Sequence, residues 1–227
     1  MPLAHVGLLD ETWLFRVAHD APVRERVEGV AGVAAVTESS APYALVRTLA
    51  QDAVERERLL RALHARLGER PLAQLHRAPA PLARKPTPED RALLRALRRH
   101  PWGALDELAR AAKLAPKAAR ERLARLVAER AASLDAAPLD APTAHALVRA
   151  SPSSTAAARR AFDAVEGVVR AWLPAQGEAT YADALVVGAP SLDAAREVPG
   201  VASVELLPVR AAWEDDALIE RALGGGP

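Results

Sequence analysis

Apolar positions along the chain change period twice. Up to about residue 77 they mostly alternate, as strands do, with two interruptions at helical spacing; from 87 to 130 only the helical spacing is present; from 144 onward the first pattern returns. In the first stretch, Thr12–Ala18 is β-prone. Asp20-Ala21-Pro22 then opens a helix that carries Val23, Val27 and Val30 and stops at Gly32. Val33–Thr37 and Tyr43–Leu49 read as strands around a polar turn at 38–42. Asp52 caps a longer helix through Leu59, Leu60, Leu63 and Leu67, closed by Gly68, and Leu72–Arg77 forms a last strand. The order is β-α-β-β-α-β, the ferredoxin-like arrangement.

The last stretch repeats that plan. Ala144–Ala150 is a strand, and Ser153 or Ser154 caps a helix carrying Ala157, Ala161, Phe162 and Val165 that ends at Gly167. Val168–Leu173 and Tyr181–Val187 are strands around a turn at 174–178. Ser191 caps a short helix closing at Pro199-Gly200, and Val201–Val209 is the final strand. A terminal helix is expected over 214–223, with a frayed tail at 224–227. Each half returns into its second strand through valine, glycine and valine, at Val30-Ala31-Gly32-Val33 and Val165-Glu166-Gly167-Val168. Residues 78–86, APAPLARKP, alternate proline and alanine and form a semi-rigid spacer. Arg84 and Lys85 at its end are either phosphate contacts or plain solvated charges.

The middle stretch carries the functional signal. Thr87-Pro88-Glu89-Asp90 starts a helix with a capping residue, a proline at the first position and two acids in the first turn. Leu93, Leu94 and Leu97 form its apolar stripe, and His100-Pro101-Trp102-Gly103 breaks it. A second helix spans about Leu105 to Ala112, a turn follows at 113–115, and a third helix opens on Pro116 and runs to about Arg130. Three helices with a tight turn before the last are a helix-turn-helix. On the third helix Ala119, Leu123, Leu126 and Val127 share one side. Lys117, Glu121, Ala124 and Arg125 fall opposite, flanked by Arg120 and Arg122. Such a helix suits a DNA major groove, although a solvated amphipathic helix has the same pattern.

Charge placement favours DNA. Residues 84–130 hold 13 Lys and Arg against 6 Asp and Glu, and since the whole chain holds 30 against 29, the rest holds 17 against 23. The basic excess is thus confined to the helix-turn-helix.

On these residues the chain resembles the leucine-responsive (Lrp/AsnC, feast/famine) regulators over about 87–227. Their second helix reads LAELA, where this chain has LDELA at 105–109. Their turn reads GLSP, where it has Leu114-Ala115-Pro116, and their third helix ends in a pattern matched by RERLARL at 120–126. LDAAPL at 134–139 matches the strand that crosses to their second domain. The family's turn glycine is replaced by Lys113 and its capping serine by Ala115, and Glu121 stands where the family usually has a base.

The resemblance implies an α+β fold: a central winged helix-turn-helix at 84–140, flanked by ferredoxin-like β-α-β-β-α-β domains at 1–80 and 141–227. It implies a transcriptional regulator that binds double-stranded DNA through Lys113, Lys117, Arg120, Glu121, Arg122 and Arg125. It further implies a small-molecule effector such as an amino acid. Gly177, Tyr181 and Asp183 match the family's ligand-sensing turn, with Ser39, Ser40 and Tyr43 as looser counterparts in the first half; the plainer role of these residues is to shape hairpins. A homodimer is expected, with the two halves pairing either within one chain or between chains. Val201–Val209 or Leu45–Leu49 would offer a sheet edge.

Composition removes several chemistries. There is no cysteine, hence no disulfide and no thiolate chemistry. The start, MPLAHVGLLDETWLF, does not read as a signal peptide, and no apolar run reaches the ~20 residues of a membrane span, so a cytoplasmic location is expected. His5, His19, His64, His76, His100 and His145 show no metal-site spacing, and no phosphate-binding glycine loop or nucleophile elbow is present. No cofactor, metal or catalytic residue is expected. Two alternatives stand beside the regulator. One is an interaction module whose helix-turn-helix no longer binds DNA. The other is an enzyme like the siroheme decarboxylases, which resemble the same family and use histidines and arginines; His145, Arg149 and Arg170 are available for that role here.

Overall fold

The computed structural model describes residues 8–18, 21–76, 86–100, 103–128, 143–152, 154–175 and 178–224. Its elements are β1 (Leu9–Arg16), α1 (Val23–Val27), β2 (Val33–Ser39), β3 (Tyr43–Ala50), α2 (Ala53–Leu67), β4 (Pro71–His76), α3 (Pro88–Arg99), α4 (Leu105–Ala111), α5 (Pro116–Ala128), β5 (Ala144–Ala150), α6 (Thr155–Asp163), β6 (Val168–Pro174), β7 (Tyr181–Val186), α7 (Asp193–Arg196), β8 (Val201–Glu214) and α8 (Asp216–Ala222). The fold is mixed α/β. The chain divides into two compact units. One combines Glu11–Ala78 with Ala137–Glu214, and the other combines Pro79–Ala136 with Met1–Asp10 and Asp215–Pro227. The strand expected at 134–139, the cap Ser153, Gly177, Arg84, Lys85 and the tail from 225 lie outside the described residues.

In the first unit all eight strands close into one barrel, ordered β1-β3-β2-β8-β5-β7-β6-β4. Each half contributes its last, first, third and second strands in that order. The halves join where β2 pairs with β8 and where β4 pairs with β6, both antiparallel. Side chains alternate across each strand, so each half has an inner and an outer face. Leu14, Leu45, Leu75, Leu147, Trp172 and Leu207 meet inside the barrel. Outside, Trp13, Phe15, Val36 and Val46 pack under α1 and α2 against Val23, Leu59, Leu63 and Leu67. The second half packs Ala146, Val148, Ala182 and Ala184 under α6 against Ala158, Ala161 and Phe162. Burying one such large side chain contributes about 1.5–3 kcal/mol.

The sequence expectation ended the last strand at Val209, but β8 continues to Glu214. Its first part pairs with β5 and its second with β2. One extra residue, Arg210, lies between the pairs Ser39↔Val209 and Glu38↔Ala211. This bulge lets one strand serve both halves. It also removes the expected dimer edges: β8 is bonded on both sides, and β3 lies between β1 and β2. Arg210–Trp213 carries little alternation of its own, so the partner strand, far away in sequence, decides its conformation.

The two halves superpose in detail at their turns. Leu49 donates its N–H to the Gly32 carbonyl, and Val187 donates to that of Gly167. Both glycines have positive φ, +94° and +74°, and a Cβ there would come within 2.8 Å of the Leu49 or Val187 carbonyl oxygen. Only glycine meets both demands. Val17 likewise donates to Pro42, and Ala150 to Thr180. Counting back along β1 and β5 from these bonds, Thr12 corresponds to His145 and Leu14 to Leu147. Counting forward from the turns, Leu45 corresponds to Asp183.

The second unit is helical. Thr87 and Asp90 form a reciprocal capping box on α3: Asp90 N–H donates to Thr87 Oγ1 at 3.2 Å, and Thr87 N–H to Asp90 Oδ2 at 3.0 Å. Leu93, Leu94, Leu108, Ala109, Ala119 and Leu126 form the shared core of α3, α4 and α5. Lys113 takes φ 56° in the turn before α5, the position where the resembling family has glycine, and is the sole non-glycine residue with positive φ among those described. The left-handed conformation is steep for a residue with a Cβ, costing roughly 1–2 kcal/mol. Asp215 caps α8, accepting from Leu218 N–H at 2.8 Å. Arg99 pairs with Glu220 at 2.9 Å, Arg98 with Asp216, and Arg95 donates to the Leu223 carbonyl at 2.7 Å, which fastens α8 to α3.

Candidate functional site

Two surfaces carry chemistry, one in each unit. In the helical unit, α5 buries Ala119 and Leu126 and presents Lys117, Arg120 and Glu121 to solvent, with Lys113 exposed in the turn before it. Among the described residues, Lys113, Lys117 and Arg120 take part in no ion pair.

Arg122 and Arg125 are placed differently. Both turn back to the start of α3, where Arg122 Nη1 donates to Asp90 Oδ1 at 2.9 Å and to Thr87 Oγ1 at 3.1 Å, and Arg125 Nη2 donates to the same Asp90 oxygen. The Asp90 side chain is 1% exposed, the two arginines 26% and 32%. Burial works against the charge on Asp90. The Thr87 N–H, the Arg122 guanidinium and the Arg125 charge together outweigh it and hold the carboxyl below its ordinary range. The six residues named from the sequence thus separate into four that face solvent and two that latch α5 onto α3.

In the barrel unit, Ser39, Tyr43 and Asp183 meet in one narrow crevice. They come from β2, β3 and β7, brought together by barrel closure. Leu14, Leu45, Leu147 and Leu207 form its apolar walls. At its floor His145 Nδ1 and Asp183 Oδ2 share a hydrogen bond of 2.8 Å, with both side chains almost fully buried. Ser39 Oγ donates within its own turn, 2.8 Å from the Ala41 carbonyl and 3.1 Å from that of Tyr43. Tyr181 is partly buried among the leucines of the barrel interior, and Ser40 is exposed, its N–H donating to the Pro208 carbonyl at 2.8 Å. Neither lines the crevice.

His145 is the member of this site that no sequence motif places in it. The signal lies in the strands AHALVRA and YADALV, where His145 and Asp183 stand in the inward phase of otherwise apolar segments. Elsewhere the adjacent acids Asp106-Glu107 and Asp215-Asp216 serve as caps and surface pairs: Asp215 caps α8 while Asp216 pairs with Arg98, and Glu107 accepts from Ala104 N–H at 3.1 Å. Among the described residues no cluster suits a metal ion, and no helix is long and apolar enough to cross a membrane.

No family model matches the chain, and neither does any curated protein. Several solved structures are similar to it. AsnC from E. coli is 17% identical with a TM-score of 0.36, over 55% of this chain and 92% of that one. The leucine response regulatory protein LrpA of Mycobacterium tuberculosis is 22% identical with a TM-score of 0.42, over 56% and 94%. A transcriptional regulator from Neisseria meningitidis, solved with L-methionine, is 20% identical with a TM-score of 0.37, over 56% and 89%. The siroheme decarboxylase NirDL, solved with an iron-uroporphyrin III analogue, is 15% identical with a TM-score of 0.48, over 93% and 74%. Among the structures that this chain resembles are thus AsnC/Lrp regulators and a decarboxylase.

Proposed function

We propose that the chain is a DNA-binding transcriptional regulator whose reading head is the helix-turn-helix of α4 and α5. The observation that carries this is the solvent face at the start of α5, where Lys113, Lys117 and Arg120 pair with no acid among the described residues while the apolar stripe of the same helix is buried. The face suits a major groove, with Lys113 and Arg120 on phosphates and Lys117 and Glu121 toward base edges; a carboxylate there accepts from a cytosine amino group. Arg122 and Arg125 act behind this face, fixing the angle of α5. The barrel unit, two ferredoxin-like halves closed on each other, is the sensor, and its crevice holds a small-molecule effector. The role is that of a cytoplasmic regulator and not of an enzyme.

One chain carries one reading head, which covers a single half-site. A homodimer places two heads about one DNA turn apart, ~34 Å, on a pseudo-palindromic site. Because barrel closure occupies β3 and β8, the dimer forms through other surfaces. The test is a fluorescence-anisotropy titration of the intact protein on duplex DNA at several salt concentrations, with the stoichiometry measured by sedimentation. Salt-sensitive binding with two chains per duplex is expected. Absence of salt-sensitive binding overturns the DNA reading, and one chain per duplex overturns the dimer.

A further inference from the structure

The acids near the end of the chain lie on a row of cations. Along α3, Arg91, Arg95, Arg98 and Arg99 recur at helical spacing on one side, while Leu93, Leu94 and Leu97 turn into the core shared with α4 and α5. All four arginines meet α8 or its end. Arg98 pairs with Asp216, Arg99 with Glu220, and Arg95 donates to the Leu223 carbonyl. The Nη1 atoms of Arg91 and Arg95 lie 3.6 and 3.7 Å from where a Cβ on Gly224 would stand. We propose that α8 is an autoinhibitory cover over a phosphate-binding stripe of α3, its acids competing with nucleic-acid phosphates for the same arginines. The inference rests on the DNA reading above and adds to it a second contact surface and the device that keeps it closed.

Two observations separate a cover from a plain contact between helices. The first is that α8 does not need Asp216 and Glu220 in order to dock. Ile219 and Leu223 are 1% and 0% exposed, and Asp215 caps the helix, so apolar burial and the cap hold it in place. Ion pairs at the surface add little to stability, and here the Asp216 side chain is 82% exposed and that of Arg99 63%. What these acids change is charge. The second observation is complementarity. Residues 214–223 hold Glu214, Asp215, Asp216 and Glu220 against Arg221 alone, whereas the acids of α3 are confined to its first turn and leave its other three turns purely basic. Acids spaced along one helix face match arginines that would otherwise suit the phosphates of a duplex. Pairs this open to solvent are screened and exchange readily, and a duplex carries denser negative charge than α8 does. The cover therefore opens by exchange of side-chain partners, with α8 still folded.

The experiment is a fluorescence-anisotropy titration of full-length chains on a DNA duplex of arbitrary sequence at several salt concentrations. Asp216→Asn/Glu220→Gln frees two arginines and keeps the Asp215 cap and both buried side chains. It is expected to bind roughly tenfold tighter at low salt, with a log–log slope steeper by about 2, as two added phosphate contacts require. Adding Arg98→Gln/Arg99→Gln to that variant is expected to abolish the gain. Glu166→Gln/Glu197→Gln removes the same charge from exposed positions of the barrel unit and is expected to bind as the parent does. The cover is overturned if Asp216→Asn/Glu220→Gln binds like the parent, if the barrel-unit variant gains as much, or if the gain survives loss of the two arginines. Should the double variant not fold, Glu220→Gln alone decides, with a slope change of about 1 expected. A parent that binds DNA beside an unaltered acid variant sinks the cover and leaves the α5 reading standing. Binding by the acid variant alone keeps the cover and sinks α5, and binding by no chain sinks both.

Discussion

The two halves of the barrel share one frame and fill it differently. Equivalent hydrogen bonds at Gly32 and Gly167, and at Val17 and Ala150, fix the same strand order in each. Under the helices the first half packs Trp13, Phe15 and leucines, whereas the second packs mostly alanines around Phe162. Inside the barrel Thr12 and Leu45 of the first half stand where the second has His145 and Asp183. Backbone geometry therefore sets the frame, while two inward side chains decide which half has a polar site.

Substitution can break this comparison. Asp183→Leu alone gives the second half its counterpart's residue but strands His145 in an apolar interior. A loss of about 1–3 kcal/mol is expected, read by chemical denaturation. Adding His145→Thr completes the exchange and removes the stranded group. The double variant is expected to recover that loss, since removing both partners together leaves no unsatisfied group. If the double variant is as unstable as the single one, the pair is structural and the two halves are not interchangeable frames.

A smaller effect separates the barrel from the helical unit. The Asp90 carboxyl is held below its ordinary range, so its contribution is fully present above the unfolded carboxylate range and is lost as pH falls through the lower folded value. Asp90→Asn is expected to cost about 2 kcal/mol at pH 7, with the difference from the parent shrinking toward zero below about pH 4. Thermal melts across pH check this. A cost that persists unchanged in acid contradicts an ionic latch.

The elements were legible because their signals are local. Asp52 before α2, Gly68 after it, Thr87-Pro88 before α3 and the two glycine returns mark boundaries from neighbouring residues alone. At Lys113 the resemblance marked the place of the family's turn glycine, and the residue takes positive φ. What was not legible depends on partners distant in sequence. Nothing in Arg210–Glu214 announces its pairing with β2, and nothing on α5 announces that Arg122 and Arg125 reach back to Asp90. Helical phase put Arg125 on the outer face, but a long side chain at the margin of that face follows a buried carboxylate within reach. Asp183, Ser39 and Tyr43 were each named from their own turns. Only barrel closure shows that they share a crevice, and with His145.

The half-barrel is duplicated, but the helix-turn-helix is not, so the DNA proposal rests on one short run of side chains. The measurement that tests it most directly compares the salt dependence of DNA affinity for the intact chain and for Lys113→Ala/Lys117→Ala/Arg120→Ala. Removing a cation that neutralises one phosphate flattens the log–log slope by about 0.9, so the triple variant is expected to drop roughly 2–3 units of slope while keeping the melting temperature of the parent. An unchanged slope, or an intact chain whose DNA binding ignores salt, contradicts the assignment of α5 as the reading head.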